Sequence, residues 1–216
     1  MRVGMEAQLR AAVVGAAQAM DRAGFAPSKS GNVSCRHRDG ALITPSGLAY
    51  ASMQPDDIVE IDLQGRVRSG RGRPSSEWPF HTSIYRARAD AEAIVHTHSP
   101  KATALSCARR GIPALHYMIA LAGGADVRCA DYATFGTQQL ADNAVRALED
   151  RKAVLLANHG VIAIGATPDA ALTIAAEVEN LAGQYLALLQ AGLEPVVLDE
   201  AEMARVSAKF ESYGKV

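Results

Sequence analysis

The chain has 216 residues, enough for one domain with a full-sized core, and we expect residues 1–216 to form a single domain. Hydrophobic residues make up 49% and charged residues 21%, a balance that excludes an intrinsically disordered chain. The net charge of −1, the few aromatic residues and the lack of a membrane-length apolar run give no support for nucleic acid or a membrane as partners.

The cysteines bear on the compartment in which the protein works. Cys35, Cys107 and Cys129 are far apart, odd in number and form no CxxC pair. This usage is typical of reduced thiols, so we expect a cytoplasmic protein. The apolar run from Ala11 to Ala17 has charged residues close on both sides, which favours an amphipathic helix over a signal peptide.

Helical and strand patterns alternate along the chain. Apolar residues at helical spacing predict helices over residues 5–23, 77–89, 100–109, 137–148, 168–191 and 203–210. Short apolar runs between turn residues predict strands over residues 33–38, 41–44, 58–63, 93–98, 127–130, 153–157 and 161–164. Hairpins at Asp39-Gly40 and near Gly160 indicate one α/β domain with a central mixed, mostly antiparallel sheet covered by helices.

Several helix boundaries and one loop have local signals. Ser76, Thr137 and Thr167 are predicted helix N-caps, and Gly24 a C-cap. The arginine-rich stretch 66–73 matches a phosphate or nucleic-acid patch, but a solvated loop is the commoner fate of such a sequence and is our prediction.

The segment Ile94-Val95-His96-Thr97-His98 is the first chemical signal. Successive side chains of a strand alternate between faces, so His96 and His98 point the same way. A lone HxH pair is usually an ordinary strand end. Here His159 lies in a predicted turn and Glu77 at a predicted helix start, and together they would complete a four-ligand site for a divalent metal such as zinc.

Three loops carry small residues that suit an anion. Ser75 and Ser76 precede a predicted helix, whose N-terminus offers free amides and the positive end of its dipole. Gly31-Asn32 and Ser46-Gly47 are two further loops of this kind. Each alone is explained by turn chemistry, but three could converge on one phosphate. No GxGxxG or P-loop motif is present.

Taken together, these pieces resemble the class II aldolase/adducin family, and most closely its branch that cleaves L-fuculose 1-phosphate. The resemblance runs in order through the chain. Its motifs are residues 30–34, 42–47, 74–78, 93–98, 116–120, 132–137, 155–160 and 209–210 with 213–214.

The resemblance implies a zinc-dependent aldehyde-lyase of carbohydrate metabolism, with Mn²⁺, Co²⁺ or Fe²⁺ as alternative ions. It would cleave a ketose 1-phosphate reversibly to dihydroxyacetone phosphate and an aldehyde such as lactaldehyde. A homotetramer with sites between subunits is implied as well.

The resemblance also assigns roles to individual residues. His96, His98, His159 and Glu77 match the metal ligands, and Glu77 also matches the acid/base. Tyr117 matches a tyrosine that a neighbouring subunit contributes as proton donor. The phosphate pocket and the residues that close the site match the following: Asn32, Ser46, Gly47, Ser75 and Ser76, with Gly31 and Lys29 as further candidates, and Phe135 and Tyr213.

Lys29 departs from the pattern, because the family has a small hydroxyl residue there. Its ammonium group would either add charge to the phosphate pocket or extend into solvent. A 5-deoxyribulose- or 5-methylthioribulose-1-phosphate aldolase shares the bond cleavage and stays open. A pentulose-phosphate 4-epimerase would carry aspartate at position 77. A sugar-acid phosphate decarboxylase is a further alternative, and an adducin-like scaffold would lack the three histidines.

Overall fold

A computed structural model describes the chain from residue 2 to residue 212, and side chains from residue 4 to residue 210. One eight-stranded sheet has the order β4-β3-β2-β1-β5-β8-β7-β6, and each neighbouring pair is antiparallel except β6 and β7. This confirms the predicted α/β fold with a mostly antiparallel sheet. The strands are β1 Asn32–His37, β2 Gly40–Ile43, β3 Val59–Asp62, β4 Val67–Ser69, β5 Ala93–Thr97, β6 Arg128–Ala130, β7 Ala153–Leu156 and β8 Gly160–Gly165.

Helices cover both faces of the sheet. They are α1 Arg2–Arg22, α2 Trp78–Ala87, α3 Pro100–Cys107, α4 Gln138–Ala147, α5 Pro168–Gln190 and α6 Glu200–Ser212. In β5, Val95 packs into the core that includes residues of α1, α3 and α5, whereas the adjacent Ile94 packs with residues of α2 and α4. Because both faces are buried, the central strands are apolar throughout rather than alternating.

The helix caps and the arginine-rich stretch test the local predictions. Thr137 and Thr167 cap α4 and α5 as predicted, each accepting a hydrogen bond from a backbone amide three residues on. Ser76 as N-cap of α2 is wrong: Glu77 holds the cap position, and the Ser75 hydroxyl accepts from the Glu77 amide.

The solvated loop predicted for residues 66–73 is also partly wrong. Val67–Ser69 forms the exposed edge strand β4, which pairs with β3.

The segment that contains Tyr117 is a short 3-10 helix, Tyr117–Ala122, and the last helix is longer than predicted. Cys35, Cys107 and Cys129 are free thiols. Between residues 2 and 212, no helix is both long and apolar enough to cross a membrane.

Strand register brings distant residues to one end of the sheet. His96 on β5 lies opposite Asn32 on β1 and opposite Ile162 on β8. The turn from β7 to β8 therefore places His159 beside the end of β5, where His98 follows. Asn158 in that turn has a φ of 54°, a left-handed conformation that asparagine tolerates better than most residues.

Two loops on the other side of this end are tied together through their backbones. The Ser75 amide donates to the Thr44 carbonyl at 3.0 Å, and the Ser46 amide donates to the Arg73 carbonyl at 2.9 Å. Gly47 adopts a φ of 79°, which favours glycine. These bonds fix the loop of Ser46 and Gly47 against the start of α2, where Ser75 and Ser76 lie.

At Gly160, β8 approaches the end of β5 so closely that a side chain there would not fit. A Cβ atom on Gly160 would lie 2.3 Å from the Thr97 carbonyl oxygen and 3.0 Å from His98 Cδ2. We expect Gly160→Ala to lower the free energy of unfolding by about 1–3 kcal/mol through overpacking, measured by urea denaturation.

The control is Gly15→Ala in α1, where an added Cβ meets no atom within 4 Å. Alanine there should raise stability by about 0.5–1 kcal/mol, because it restricts the unfolded chain and favours helix. Equal stability of Gly160→Ala and the wild type would contradict the close approach of the two strands.

Candidate active site

The four predicted metal ligands converge on one point. One ligand atom from each of Glu77, His96, His98 and His159 lies within 4.8 Å of the others. The imidazole rings stand at 73–85° to one another with centroids 4.8–4.9 Å apart, so they surround a common centre. The strand-parity prediction for His96 and His98 is confirmed, since their Nε2 atoms are 2.9 Å apart.

The hydrogen bond on the far side of His96 fixes its tautomer. His96 Nδ1 lies 2.9 Å from the Val161 carbonyl oxygen, which can only accept, so Nδ1 carries the hydrogen. In the neutral ring Nε2 then presents a lone pair toward the centre of the cluster. A backbone carbonyl in this position is the usual support for a metal-binding histidine.

Glu77 completes the cluster from the start of α2. Its Oε2 lies 3.1 Å from His96 Nε2, and its Oε1 lies 3.2 Å from His159 Nε2. Oε1 is buried and has no hydrogen-bond partner among the described residues. Burial raises the pKa of Glu77, but its close contacts with His96 and His159 lower it more, so that this pKa lies well below its usual range.

The donor set fits a divalent cation. The lone pair of neutral His96 faces both His98 and a carboxylate oxygen, and a positive charge between these atoms makes such contacts attractive. Burial, together with the neighbouring His96 and His159 rings, lowers the pKa of His98 to about 3, so this ring is neutral and able to bind a metal near pH 7. Three imidazole nitrogens and one carboxylate are a ligand set that zinc and other transition metals accept.

A cavity of about 320 Å³ opens beside this cluster. Glu77, His98 and His159 line its inner end. The small residues of the three predicted loops also line it, together with Lys29 and Phe135: Gly31, Asn32, Ser46, Gly47, Ser75 and Ser76. The structure therefore brings together each predicted phosphate residue and one of the two predicted closing residues.

Hydrogen bonds limit what each pocket residue can give to an anion. The backbone amides of Ser46 and Ser75 already donate within the protein, whereas the Ser75 hydroxyl only accepts, from the Glu77 amide, and keeps its own hydrogen for an anion. Ser76 and Gly47 are exposed to the cavity. Lys29 lines the cavity rather than extending away from it, and its Nζ donates to the Gly47 carbonyl at 3.2 Å. The pocket thus carries one positive side chain at its rim.

Tyr117 is not among the residues that line this cavity. It lies in the 3-10 helix, is half exposed, and stacks on His116 at 4.7 Å and on Phe210 of α6 at 6.3 Å between ring centroids. Within one chain the structure therefore does not bring Tyr117 to the metal cluster. Tyr213 lies outside the described residues.

No sequence signal points to a site role for His81 or Tyr85, and Ser34 is marked only as part of the motif of residues 30–34. All three are buried and hydrogen-bonded in a row that ends at Asn32. Tyr132 and Asn158, which line the cavity, were noted only as motif or turn residues. No local pattern marks these side chains, because their partners are distant in sequence.

Comparison with known proteins agrees with the fold and the cluster. The family model described as class II aldolase and adducin N-terminal domain matches residues 11–186. A 5-methylthioribulose-1-phosphate/5-deoxyribulose-1-phosphate aldolase of Rhodospirillum rubrum is 50% identical over 98% of this chain and 95% of its own. The L-fuculose phosphate aldolase of Escherichia coli K12 is 48% identical over 90% of both chains.

A solved structure of an L-fuculose 1-phosphate aldolase superposes with a TM-score of 0.90 at 41% identity, covering 94% of this chain and 96% of the other. The chain belongs to the class II aldolase and adducin family. Within that family its similar relatives are aldolases, which makes it an aldehyde-lyase by family rather than a scaffold.

Removal of one ligand tests the metal cluster. We expect His98→Ala to lose bound divalent metal during dialysis, because two imidazoles and one carboxylate hold an ion less tightly than the full set. Elemental analysis of purified protein measures the metal per chain, and circular dichroism checks the fold. The control is His37→Ala, since His37 contacts Glu6 outside the cluster and its loss should leave metal content unchanged. Full occupancy in His98→Ala would contradict the assignment.

Proposed function

We propose that the protein is a metal-dependent aldolase that reversibly cleaves a ketose 1-phosphate between C3 and C4. The products are dihydroxyacetone phosphate and an aldehyde. The observation that carries this proposal is a buried carboxylate beside three metal-ready imidazoles, at the inner end of a cavity with small hydrogen-bond donors on its wall. Family membership supports the same class of reaction.

The phosphate end of the substrate would lie against the start of α2. Ser76 and Gly47 face the cavity, and the positive end of the α2 dipole favours an anion there. Lys29 at the rim adds a charge that the phosphate can use in place of its contact with the Gly47 carbonyl. Binding the non-reacting end in this way orients the carbon skeleton toward Glu77.

Glu77 is the proposed base and acid. It follows Ser76 directly, so a phosphate on C1 leaves C3 within reach of the carboxylate while the C2 carbonyl and C3 hydroxyl oxygens approach the histidine cluster. In the synthetic direction Glu77 would take a proton from C3 of dihydroxyacetone phosphate. Its carboxylate is ionised at neutral pH, which a base requires, and its basicity would rise when substrate separates it from the positive centre.

His96, His98, His159 and Glu77 are the residues that would hold the ion, and zinc suits three imidazoles best. A bound divalent cation would act as a Lewis acid on the ketose oxygens.

Two classes of ketose 1-phosphate are candidate substrates, and they differ in the part that becomes the aldehyde. An L-fuculose-1-phosphate-like ketose would give lactaldehyde. The relative from R. rubrum carries the alternative, a 5-deoxy or 5-methylthio pentulose 1-phosphate, which would give acetaldehyde or its methylthio derivative. The exposed aromatic rings of Tyr132 and Phe135 at the cavity wall favour an apolar aldehyde, because they offer surface but little hydrogen bonding.

Tyr117 would act on the site of a neighbouring subunit in a homotetramer. Its distance from its own cavity and its half-exposed ring support this arrangement. The surface around Tyr117 is mainly apolar. It includes a second, larger cavity between the 3-10 helix and α6. Val196 and Val197, which precede α6 in the sequence, are also exposed. In that position the phenol would protonate the aldehyde oxygen as the new bond forms.

Exchange of a hydrogen of dihydroxyacetone phosphate with solvent tests the role of Glu77 as base, with no aldehyde added. With metal-loaded enzyme in deuterated water, one prochiral hydrogen at C3 of dihydroxyacetone phosphate should exchange, measured by NMR. Glu77→Gln should slow exchange and cleavage by about 10²–10⁴-fold, the usual loss of a general base. Glu92→Gln is the control, because the Glu92 side chain is half exposed and pairs with Arg36.

Absence of exchange in metal-replete wild-type enzyme, with no cleavage of any ketose 1-phosphate, would refute the aldolase. The panel is L-fuculose, 5-deoxyribulose and 5-methylthioribulose 1-phosphates. A higher kcat/KM on the two deoxy or thio ketoses would assign the alternative substrate class.

Subunit mixing tests the role of Tyr117. Tyr117→Phe and His98→Ala proteins are each expected to be nearly inactive. When they are dissociated together and reassembled, about one site in four should combine an intact cluster with an intact tyrosine in a shared-site oligomer. Activity should then rise well above that of either parent treated alone. No recovery in reassembled oligomers would show that each site is complete within one chain.

A further inference from the structure

A row of buried polar side chains runs from α2 to the catalytic carboxylate. Tyr85 Oη lies 2.7 Å from Ser34 Oγ, and Ser34 Oγ lies 2.7 Å from His81 Nδ1. His81 Nε2 lies 2.5 Å from Asn32 Oδ1, and Asn32 Nδ2 donates to Glu77 Oε2 at 3.0 Å. All five residues are at most 6% exposed, so solvent cannot replace these contacts.

The direction of each hydrogen bond follows from the carboxylate end. Ionised Glu77 only accepts, so the amide nitrogen of Asn32 faces it and the amide oxygen faces His81. His81 must therefore carry its hydrogen on Nε2. Burial lowers the pKa of His81 to about 3, so the ring is neutral and Nδ1 has a lone pair.

The remaining two bonds follow from that lone pair. The Ser34 hydroxyl donates to His81 Nδ1, which leaves its oxygen to accept from the Tyr85 hydroxyl. Burial also raises the pKa of Tyr85, which keeps the phenol a donor. In each of the four hydrogen bonds of this row, the donor is therefore the residue farther from Glu77 and the acceptor the residue nearer to it.

We propose that Ser34, His81 and Tyr85 are positioning residues that fix the Asn32 amide against Glu77 Oε2 and leave Oε1 to take and return the proton. This inference rests on the proposed role of Glu77 as the base. Among the described residues Oε1 contacts only the ring of His159, a proposed metal ligand, at 3.2 Å and accepts no hydrogen bond of regular geometry, whereas Oε2 is anchored by Asn32. This row of hydrogen bonds cannot conduct protons to Glu77, because the Asn32 amide does not pass a proton on. Its effect is to orient the Glu77 carboxylate.

A reversed amide shows why the tautomer matters. If His81 carried its hydrogen on Nδ1, the Asn32 amide would turn to give its N–H to His81 Nε2. Its carbonyl oxygen would then face the Glu77 carboxylate, and two acceptors would repel each other. When the Ser34 hydroxyl accepts from Tyr85, its own hydrogen points to His81 Nδ1, and this favours the Nε2–H tautomer.

Three variants and one spectrum test the positioning chain. His81→Leu removes the donor to Asn32 and should lower kcat by about 10- to 100-fold, the scale of a small misplacement of a catalytic group. Its KM should stay within about threefold, because Ser76, Gly47 and Lys29 are untouched. His81→Gln can place an amide N–H where imidazole Nε2 stands and should restore most of kcat. Ser83→Ala is the control, since Ser83 lies on α2 and bonds to Arg86 and Gln138 instead.

The spectrum is read on wild-type holoenzyme labelled with ¹⁵N-histidine. His81 should show the neutral Nε2–H tautomer at pH 7, and this holds whether or not His81→Leu folds. An Nδ1–H tautomer would overturn the proposal, as would a folded His81→Leu with wild-type kcat or a kcat that His81→Gln does not restore. Wild-type enzyme without aldol cleavage or C3 exchange would instead refute the proposed function, while the tautomer still tests the hydrogen-bond chain.

Discussion

The burial of the Glu77 carboxylate in a cluster of three imidazoles, two of which it contacts, is the constraint on which the rest of the site depends. A carboxylate buried among neutral rings is unfavourable unless a positive charge lies among them. The fold accepts this cost at one end of the sheet, where β5 supplies His96 and His98, the β7–β8 turn supplies His159 and α2 supplies Glu77. The register of β5 with its neighbours and the position at which α2 begins therefore both determine the geometry of this one cluster.

Much of this arrangement follows from sequence pattern because it depends on local geometry. Strand periodicity places His96 and His98 on one face, and the caps at Thr137 and Thr167 need only the residues of one turn. The error at Ser76 is partly non-local: the helix begins one residue later, at the cap Glu77, and the Ser75 amide before it is bonded to the Thr44 carbonyl in another loop.

Other features depend on pairing between distant segments, which no local pattern encodes. Asn32 meets Glu77 across 45 residues and His81 across 49, and both contacts require β1 to pair with β5 and α2 to pack on the sheet. His81 alone in sequence is one polar residue in a helix. The stacking of Tyr117 on Phe210 likewise joins the 3-10 helix to α6, which is distant in sequence.

The site divides its work between two kinds of structure. Strand side chains and the chain behind Asn32 hold the chemical groups rigidly, since each has a buried partner. The groups that we propose to bind the phosphate come from loops whose backbones are bonded to each other, which would fix one end of the substrate. Tyr132 and Phe135 belong to a loop with exposed side chains, so this wall can change without disturbing the ligands or the phosphate pocket. Such a division agrees with the names of two relatives about half identical to this chain, both of which are aldolases but of different ketose phosphates.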